Sequence, residues 1–393
     1  MRKVYFDHNA TTPLAPEVLE AMTPYLTEEF GNASSIHSVG QRARAAVENA
    51  RAQVAALLGA RDKEIIFTSG GTEADNMAIR GVVGASERPR QHIVTSALEH
   101  HAVLNTCQAL EAEGVAVTYV GVGRAGIVDP EDVRRALTPD TVLITIMHAN
   151  NELGTVQPIA EIARIARERK IPFHTDAVQS GGKIPLNVAE LGVDLLSLSA
   201  HKLYGPKGTG ALYIRRNLRL KPLMFGGHHE RDRRAGTENV AGIVGFGAAA
   251  ELARAHLAEE AKRLAALRDS LERRLLSAIP HCGLNGDPAR RTPNTTNLHF
   301  DFIEGEPLVI ALDLKGVAVS TGAACSSGAV EPSHVLTAIG LPPERARSSL
   351  RFSLGRATTA ADVDYVCEVL PAVVEHLRSL SPLYKKPVPA SAS

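Results

Sequence analysis

Between about residues 64 and 215 the chain alternates short β-branched runs with amphipathic helical stretches, a pattern few folds accommodate. The runs are Ile65-Ile66-Phe67-Thr68, His92-Ile93-Val94-Thr95, Val115-Ala116-Val117-Thr118-Tyr119, Val142-Leu143-Ile144-Thr145-Ile146, Pro172-Phe173-His174-Thr175, Leu195-Leu196-Ser197-Leu198 and Ala211-Leu212-Tyr213-Ile214. Helical patterns lie between them, as from Ile159 to Glu168, where Ile159, Ile162, Ala163, Ile165 and Ala166 share a face. Strands interleaved with helices predict an α/β fold, a mostly parallel sheet covered on both faces. Ligands of such sheets sit at the carboxyl ends of the strands.

A long helix is expected from about Ala248 to Ala278, with Leu252, Leu257, Leu264, Leu267, Leu271 and Leu275 at three-to-four spacing. It would lead into a smaller α+β domain. There, Thr296 to Phe300 and Leu350 to Leu354 read as strands, and Glu306 to Leu314 and Ala360 to Leu377 as helices. The expected division is a large domain over 16–250, a small domain built from 1–15 and 251–380, and a disordered Pro/Ala/Ser-rich tail over 381–393. At 393 residues the chain is long enough for this arrangement.

Lys+Arg and Asp+Glu both total 43, so no global basic field marks a nucleic-acid binder. The start has no apolar signal region, and no uninterrupted apolar stretch approaches the ~20 residues of a membrane span. The four cysteines, Cys107, Cys282, Cys325 and Cys367, lack CxxC spacing. That argues against zinc or a disulfide framework and for a reducing compartment. The expectation is a soluble cytoplasmic protein with no metal site, no membrane contact and no direct nucleic-acid partner.

The chemistry concentrates where the strands end. The run Val193 to Leu198 delivers His201-Lys202 into the loop Leu203-Tyr204-Gly205-Pro206-Lys207-Gly208. A lysine at a buried strand end is costly unless its amine is used. Schiff-base chemistry with an aldehyde is one such use, because desolvation and neighbouring cations lower the amine pKa. The strand before it ends in Asp176, within Phe173-His174-Thr175-Asp176-Ala177-Val178-Gln179. A lysine aldimine with an aspartate under a pyridinium nitrogen is the signature of pyridoxal phosphate (PLP).

Thr68-Ser69-Gly70-Gly71-Thr72-Glu73 follows a strand and opens a helix. Its amides and the Thr72 hydroxyl suit a phosphate, with Ser199 and His201 as further donors. A plain strand-to-helix turn would carry the same residues. His100, in Glu99-His100-His101, can stack on a ring and shuttle protons, and Asn151 can hydrogen-bond a ring oxygen or a substrate carboxylate. Arg351 is a candidate carboxylate clamp. Cys325 lies in Val319-Ser320-Thr321-Gly322-Ala323-Ala324-Cys325-Ser326-Ser327-Gly328, where every close neighbour is small or hydroxylated, as a travelling thiol requires. Cys107 and Cys367 read as inert packing thiols.

With these residues in hand, the chain resembles the cysteine desulfurases of the NifS/IscS type, within the aspartate-aminotransferase-like (fold type I) PLP enzymes. The resemblance runs through Tyr5-Phe6-Asp7-His8-Asn9-Ala10-Thr11-Thr12-Pro13, Thr68 to Glu73, Glu99-His100, Asn151-Glu152, Asp176 to Gln179, Ser199 to Lys202, Gly236-Thr237, Ala324-Cys325-Ser326 and Arg351 to Gly355. It implies that Lys202 carries the aldimine, Asp176 pairs with the ring nitrogen, Gln179 bonds the phenolic oxygen and His100 stacks. Gly71, Thr72, Ser199 and His201 would hold the phosphate, joined by Thr237 from the second subunit of a homodimer. Asn151 and Arg351 would orient L-cysteine. Cys325 would take its sulfur as a persulfide, leaving alanine, for delivery to an iron–sulfur scaffold or another sulfur-accepting protein. Two departures stand out. Ser320 to Cys325 varies the family's Ser-Ser-Gly-Ser-Ala-Cys, and Ser381 to Lys386 matches only the start of its scaffold-gripping tail. The rival readings are a selenocysteine lyase or other β-eliminating enzyme and, from another class, a non-catalytic sulfur-relay subunit.

Overall fold

The computed structural model describes residues 2–321 and 332–384. In chain order the strands are β1 (Val4–Tyr5), β2 (Ile65–Thr68), β3 (His92–Ser96), β4 (Ala116–Val120), β5 (Thr141–Thr145), β6 (Phe173–Asp176), β7 (Leu195–Ser199), β8 (Gly210–Ile214), β9 (Cys282–Leu284), β10 (Thr295–Phe300), β11 (Val317–Ala318) and β12 (Ser349–Ser353). All seven strands expected between residues 64 and 215 form, each within a residue or two of its expected bounds. They make one sheet in the order β2-β8-β7-β6-β5-β3-β4. Only β8 runs against its neighbours, so the sheet is mostly parallel. Six of the strands are buried along their whole length, which is why they show no polar-apolar alternation, although β6 buries His174, Thr175 and Asp176; the edge strand β4 is partly exposed.

Helices cover both faces. One face packs Val47, Val54 and Leu58 of the helix Ser38–Leu58 with Phe246 and Ile162, and the other packs Met77, Val103 and Leu110 from Gly71–Ala85 and His101–Ala112. A separate core holds Phe6, Leu271, Leu275, Phe300, Leu308, Phe352 and Leu370 around the antiparallel sheet β12-β10-β9. β1 pairs in parallel with β11, which fastens the chain's first residues to this second core.

The long helix begins earlier than the leucine spacing indicates, at Val240 rather than Ala248, and runs to Ala278. Its first turns carry Gly242, Gly245 and Gly247 where leucines would be expected. A methyl on Gly247 would lie 2.6 Å from the Cα of Ala50, so close approach to Ser38–Leu58 excludes a side chain there. By length and composition this helix could cross a bilayer, but half of its most apolar window is buried within the protein and it packs on Ser38–Leu58 and Ala360–Leu380.

One ion pair anchors the segment that leads to Thr237. Arg51 donates from Nη1 to Glu230 Oε2 at 2.7 Å and from Nη2 to Oε1 at 2.9 Å; Phe67 N also donates to Oε2 at 2.9 Å. Both side chains are almost fully buried. Replacing Glu230 by alanine leaves a buried guanidinium and an unmet amide, and should cost about 3–5 kcal/mol. Urea unfolding reads this directly; an unchanged midpoint would contradict it.

Candidate active site

The carboxyl ends of β2, β3, β5, β6 and β7 open on one edge of the sheet and bring most of the expected residues together. Asp176 is the last residue of β6, and Lys202 follows β7 by one short turn. Asp176 and Ser197 are register partners across the two strands. The Lys202 amine donates to the backbone carbonyls of Asn9 at 2.7 Å and Ala10 at 2.6 Å. Desolvation, then the positive charge of Arg351, presses its pKa from the usual lysine range to about 8. Asp176 is pushed up by burial, opposed by the Val178 amide at 2.9 Å and the attraction of Lys202.

His100 caps the helix His101–Ala112, its Nδ1 accepting from Ala102 N at 3.1 Å, so the ring proton resides on Nε2. Burial and then the charges of Lys202, His101 and His334 depress its pKa, which keeps the ring neutral at pH 7, while part of its surface stays open to solvent. His201 is likewise lowered, to about 4, by burial and Lys202, and bonds Thr11 Oγ1 at 3.0 Å. Gly71 opens its helix hard against the neighbouring loops. A methyl there would lie 2.8 Å from Val178 Cγ2 and 3.6 Å from Ser199 Cβ. This places the first turn of the helix, whose amides have no intrahelical partner, next to Ser199.

Arg351 and Asn151 also meet. Arg351 Nη1 donates to the Asn151 carbonyl at 3.1 Å and Nη2 to Asp7 Oδ1 at 2.6 Å. Among the described residues, Arg351 Nε and Asn151 Oδ1 are buried without a hydrogen-bond partner. Thr237 stands apart, exposed on the segment before Val240–Ala278. That segment touches the α-helical turn at Glu73 through Arg234, at 2.8 Å. Cys325 lies outside the described residues.

Three features escaped the sequence reading. The first is Asn9. Its carbonyl accepts from Lys202 and Gln179, its Oδ1 from Lys183 and Asn294, and its Nδ2 donates to Asn151 O and Thr295 Oγ1. It ties both sheets to the lysine. The second is Lys183, whose amine donates to Gln179 Oε1 at 2.7 Å and thereby turns the Gln179 amide nitrogen away from itself. The third is a polar layer beneath Asp176. His174, fully buried, bonds Thr145 Oγ1 at 2.8 Å and Ser197 Oγ at 3.0 Å, and Asp75 approaches it at 3.6 Å. Burial and the repulsion of Asp176 push Asp75 well above the carboxylate range, and Glu99 rises to about 8 for the same first reason. Of these three carboxyls, Asp176 alone has a cation beside it among the described residues, so it carries the negative charge while Asp75 and Glu99 keep their protons. Buried polar residues in otherwise apolar strands, His174 above all, were the available signal.

Comparison with known proteins places the chain in a family. Residues 4–366 match the family Aminotransferase class-V. A curated relative, "Cysteine desulfurase IscS" of Dictyoglomus turgidum, is 55% identical over 385 residues, covering 98% of each chain. Among solved structures, a "NifS-like protein" superposes with a TM-score of 0.90 at 38% identity, covering 96% of this chain and all of that one. Another, "SspA in complex with cysteine", gives 0.81 at 40% identity over 90% of this chain and 99% of that one. The fold is that of the fold type I PLP enzymes. The chain belongs to the class-V aminotransferase family, among the cysteine desulfurases of the NifS/IscS type.

Proposed function

We propose that this protein converts L-cysteine to L-alanine and passes the sulfur, through a persulfide on Cys325, to an acceptor protein such as an iron–sulfur scaffold or sulfur carrier. One observation carries the reading: a lysine amine lowered to about 8 stands beside a buried aspartate at adjacent strand ends. The donor set fits PLP. Lys202 is the amine for its aldehyde and Asp176 the anion for its ring nitrogen. Gln179 offers an amide hydrogen to its phenolic oxygen and His100 an imidazole face. The first-turn amides of Gly71 and Thr72, with Ser199 and His201, suit its phosphate. Bound there, the group supplies an electron-accepting ring that makes deprotonation at Cα and cleavage of the carbon–sulfur bond accessible.

The chain's own residues do the rest. Arg351 Nε, buried and unengaged among the described residues, presents an N–H for the substrate carboxylate. Asn151 Oδ1, likewise unengaged, can only accept, so the atom of Asn151 that can meet that carboxylate is its amide nitrogen. His100 holds its proton at Nε2, where it can be handed to or taken from a reacting atom. The separate cores support a large domain over 16–250 and a small one built from 1–15 and 251–380. A homodimer completes the phosphate site with Thr237. Exposed Leu26, Phe30, Ile36 and Phe225 give it apolar surface to cover. Free Cys107, Cys282 and Cys367 go with a soluble, cytoplasmic setting.

The test uses holoprotein and L-cysteine, with products and sedimentation measured on one sample. Alanine, 32 Da added at Cys325 and a dimer are expected. Pyruvate and ammonia in place of alanine would make it an eliminating lyase, no turnover would leave a relay subunit, and an active monomer would overturn the shared phosphate site.

A further inference from the structure

The guanidinium of Arg351 is not free to act as a simple anion trap. Asp7 engages its Nη2 at 2.6 Å and the Asn151 carbonyl its Nη1 at 3.1 Å, while Nε is buried with no partner among the described residues. The Arg351 side chain is 5% exposed and that of Asp7 21%. Asp7 cannot easily drift. Its carbonyl accepts from Tyr5 Oη at 3.0 Å, and it sits in a parallel bridge opposite Ser353, two residues beyond Arg351 on β12. Backbone bonds from His8 N to Ser353 O and from Ser353 N to Phe6 O close that bridge on either side.

The charges around this pair are lopsided. Lys202, Lys183 and Arg351 lie within electrostatic reach of one another. Against them stand Asp176, under the strand ends, and Asp7. Glu152, another carboxyl within electrostatic reach of Arg351, is buried, raised by that burial, and accepts from Ser333 Oγ at 2.6 Å, so it adds little negative charge. Burial, with Lys202 and Arg351, holds Lys183 well below the usual lysine range, so Arg351 is the dominant cation at the carboxylate subsite. Without Asp7 its guanidinium would have no carboxylate bound to it, and any small acid would profit from the field.

We propose that Asp7 is a positioning and specificity residue. It fixes the Arg351 fork through Nη2 and cancels enough of its charge that the site selects zwitterionic amino acids over plain carboxylates. The inference rests on Arg351 being the carboxylate clamp. The mechanism is a difference of two effects. A plain carboxylate carries a full negative charge and gains from every uncompensated cation. A zwitterion carries none, so attraction at its carboxylate is offset by repulsion at its ammonium. Removing the Asp7 charge therefore favours the first class over the second. Asparagine keeps an oxygen that can accept from Nη2, so Asp7→Asn isolates the charge from the orientation.

The experiment is calorimetric titration of the holoenzyme with propionate and with L-alanine, which differ only in the amino group. In Asp7→Asn the ratio of propionate to alanine affinity should rise about tenfold over the parent, the scale of a unit charge removed a few ångströms away in a partly solvated site. Asp7→Glu, which restores the charge, should bring the ratio back toward the parent. If Asp7→Asn does not fold, Asp7→Ser removes the same charge with a smaller side chain. A ratio within twofold of the parent, or a parallel loss of both ligands, would overturn the inference and leave Asp7 a structural partner. Arg351→Gln separates the two levels. If it binds propionate as the parent does, the clamp reading fails and takes the inference with it. If it loses propionate while the Asp7 variants leave the ratio unchanged, the inference alone fails.

Discussion

Replacing Lys202 by alanine should lower turnover by roughly 10⁴ or more and remove the near-visible absorption of lysine-bound cofactor. At pH 7 an amine with a pKa of about 8 is roughly one-tenth neutral, some three hundredfold more than an ordinary lysine. The depression has the direction that nucleophilic use demands: the charged form is disfavoured, so the reactive form grows as pH rises toward 8. Loading of apoprotein with pyridoxal phosphate should accordingly quicken with pH up to about 8 and then level off. The Lys202→Ala protein should still retain some cofactor non-covalently through Asp176 and the phosphate donors, measurable by dialysis and fluorescence. The neighbouring amine, Lys183, is committed to Gln179 and Asn9 and is not expected to substitute. A variant keeping both the absorption and normal alanine release would show that Lys202 is not the amine, and would direct attention to Lys183.

Much of the fold was legible because its physics is local. A strand buried on both faces needs no solvent-facing alternation, and β2, β3, β5, β7 and β8 each carry consecutive apolar residues, whereas β6 is short and buries His174, Thr175 and Asp176. Lys202 could be placed because it follows an apolar run and Asp176 because it ends a short strand, and the topology of a parallel sheet gathers strand ends without further information. The start of Val240–Ala278 was missed because glycine and alanine there serve helix–helix contact rather than a leucine stripe. Asn9 was missed for a different reason. Its partners Asn151, Gln179, Lys202, Asn294 and Thr295 lie 142 to 286 positions away in sequence, so no window could reveal that one amide joins them. Arg351 stands out in the sequence as a candidate clamp, yet its pairing with Asp7 spans 344 positions and is equally invisible there. Residues that carry chemistry at strand ends announce themselves. Residues that hold those carriers in place do so through contacts only the fold creates.

Cys325→Ser should divide the reaction in two. The ring-side residues Lys202, Asp176 and His100 are untouched, so the variant should bind cysteine and still change the cofactor's absorption. Sulfur transfer requires a thiolate to attack the substrate sulfur. A sulfur–sulfur bond forms, the carbon–sulfur bond breaks, its electron pair stays with the carbon skeleton, and protonation gives alanine. A serine hydroxyl is far less acidic and a poor nucleophile toward sulfur, so persulfide should be absent and sustained alanine release should fall by roughly 10³. The other thiols are poorly suited to take over. Burial first, then nearby carboxylates, pushes Cys107 to about 12 within its helix. Burial also raises Cys282 to about 12 and raises Cys367, so both remain protonated at neutral pH. Serine at Cys282 or Cys367, and alanine at the wholly buried Cys107, should therefore leave activity within about twofold. Alanine release at the parent rate from Cys325→Ser, with loss of activity in one of those three, would move the sulfur acceptor to that cysteine.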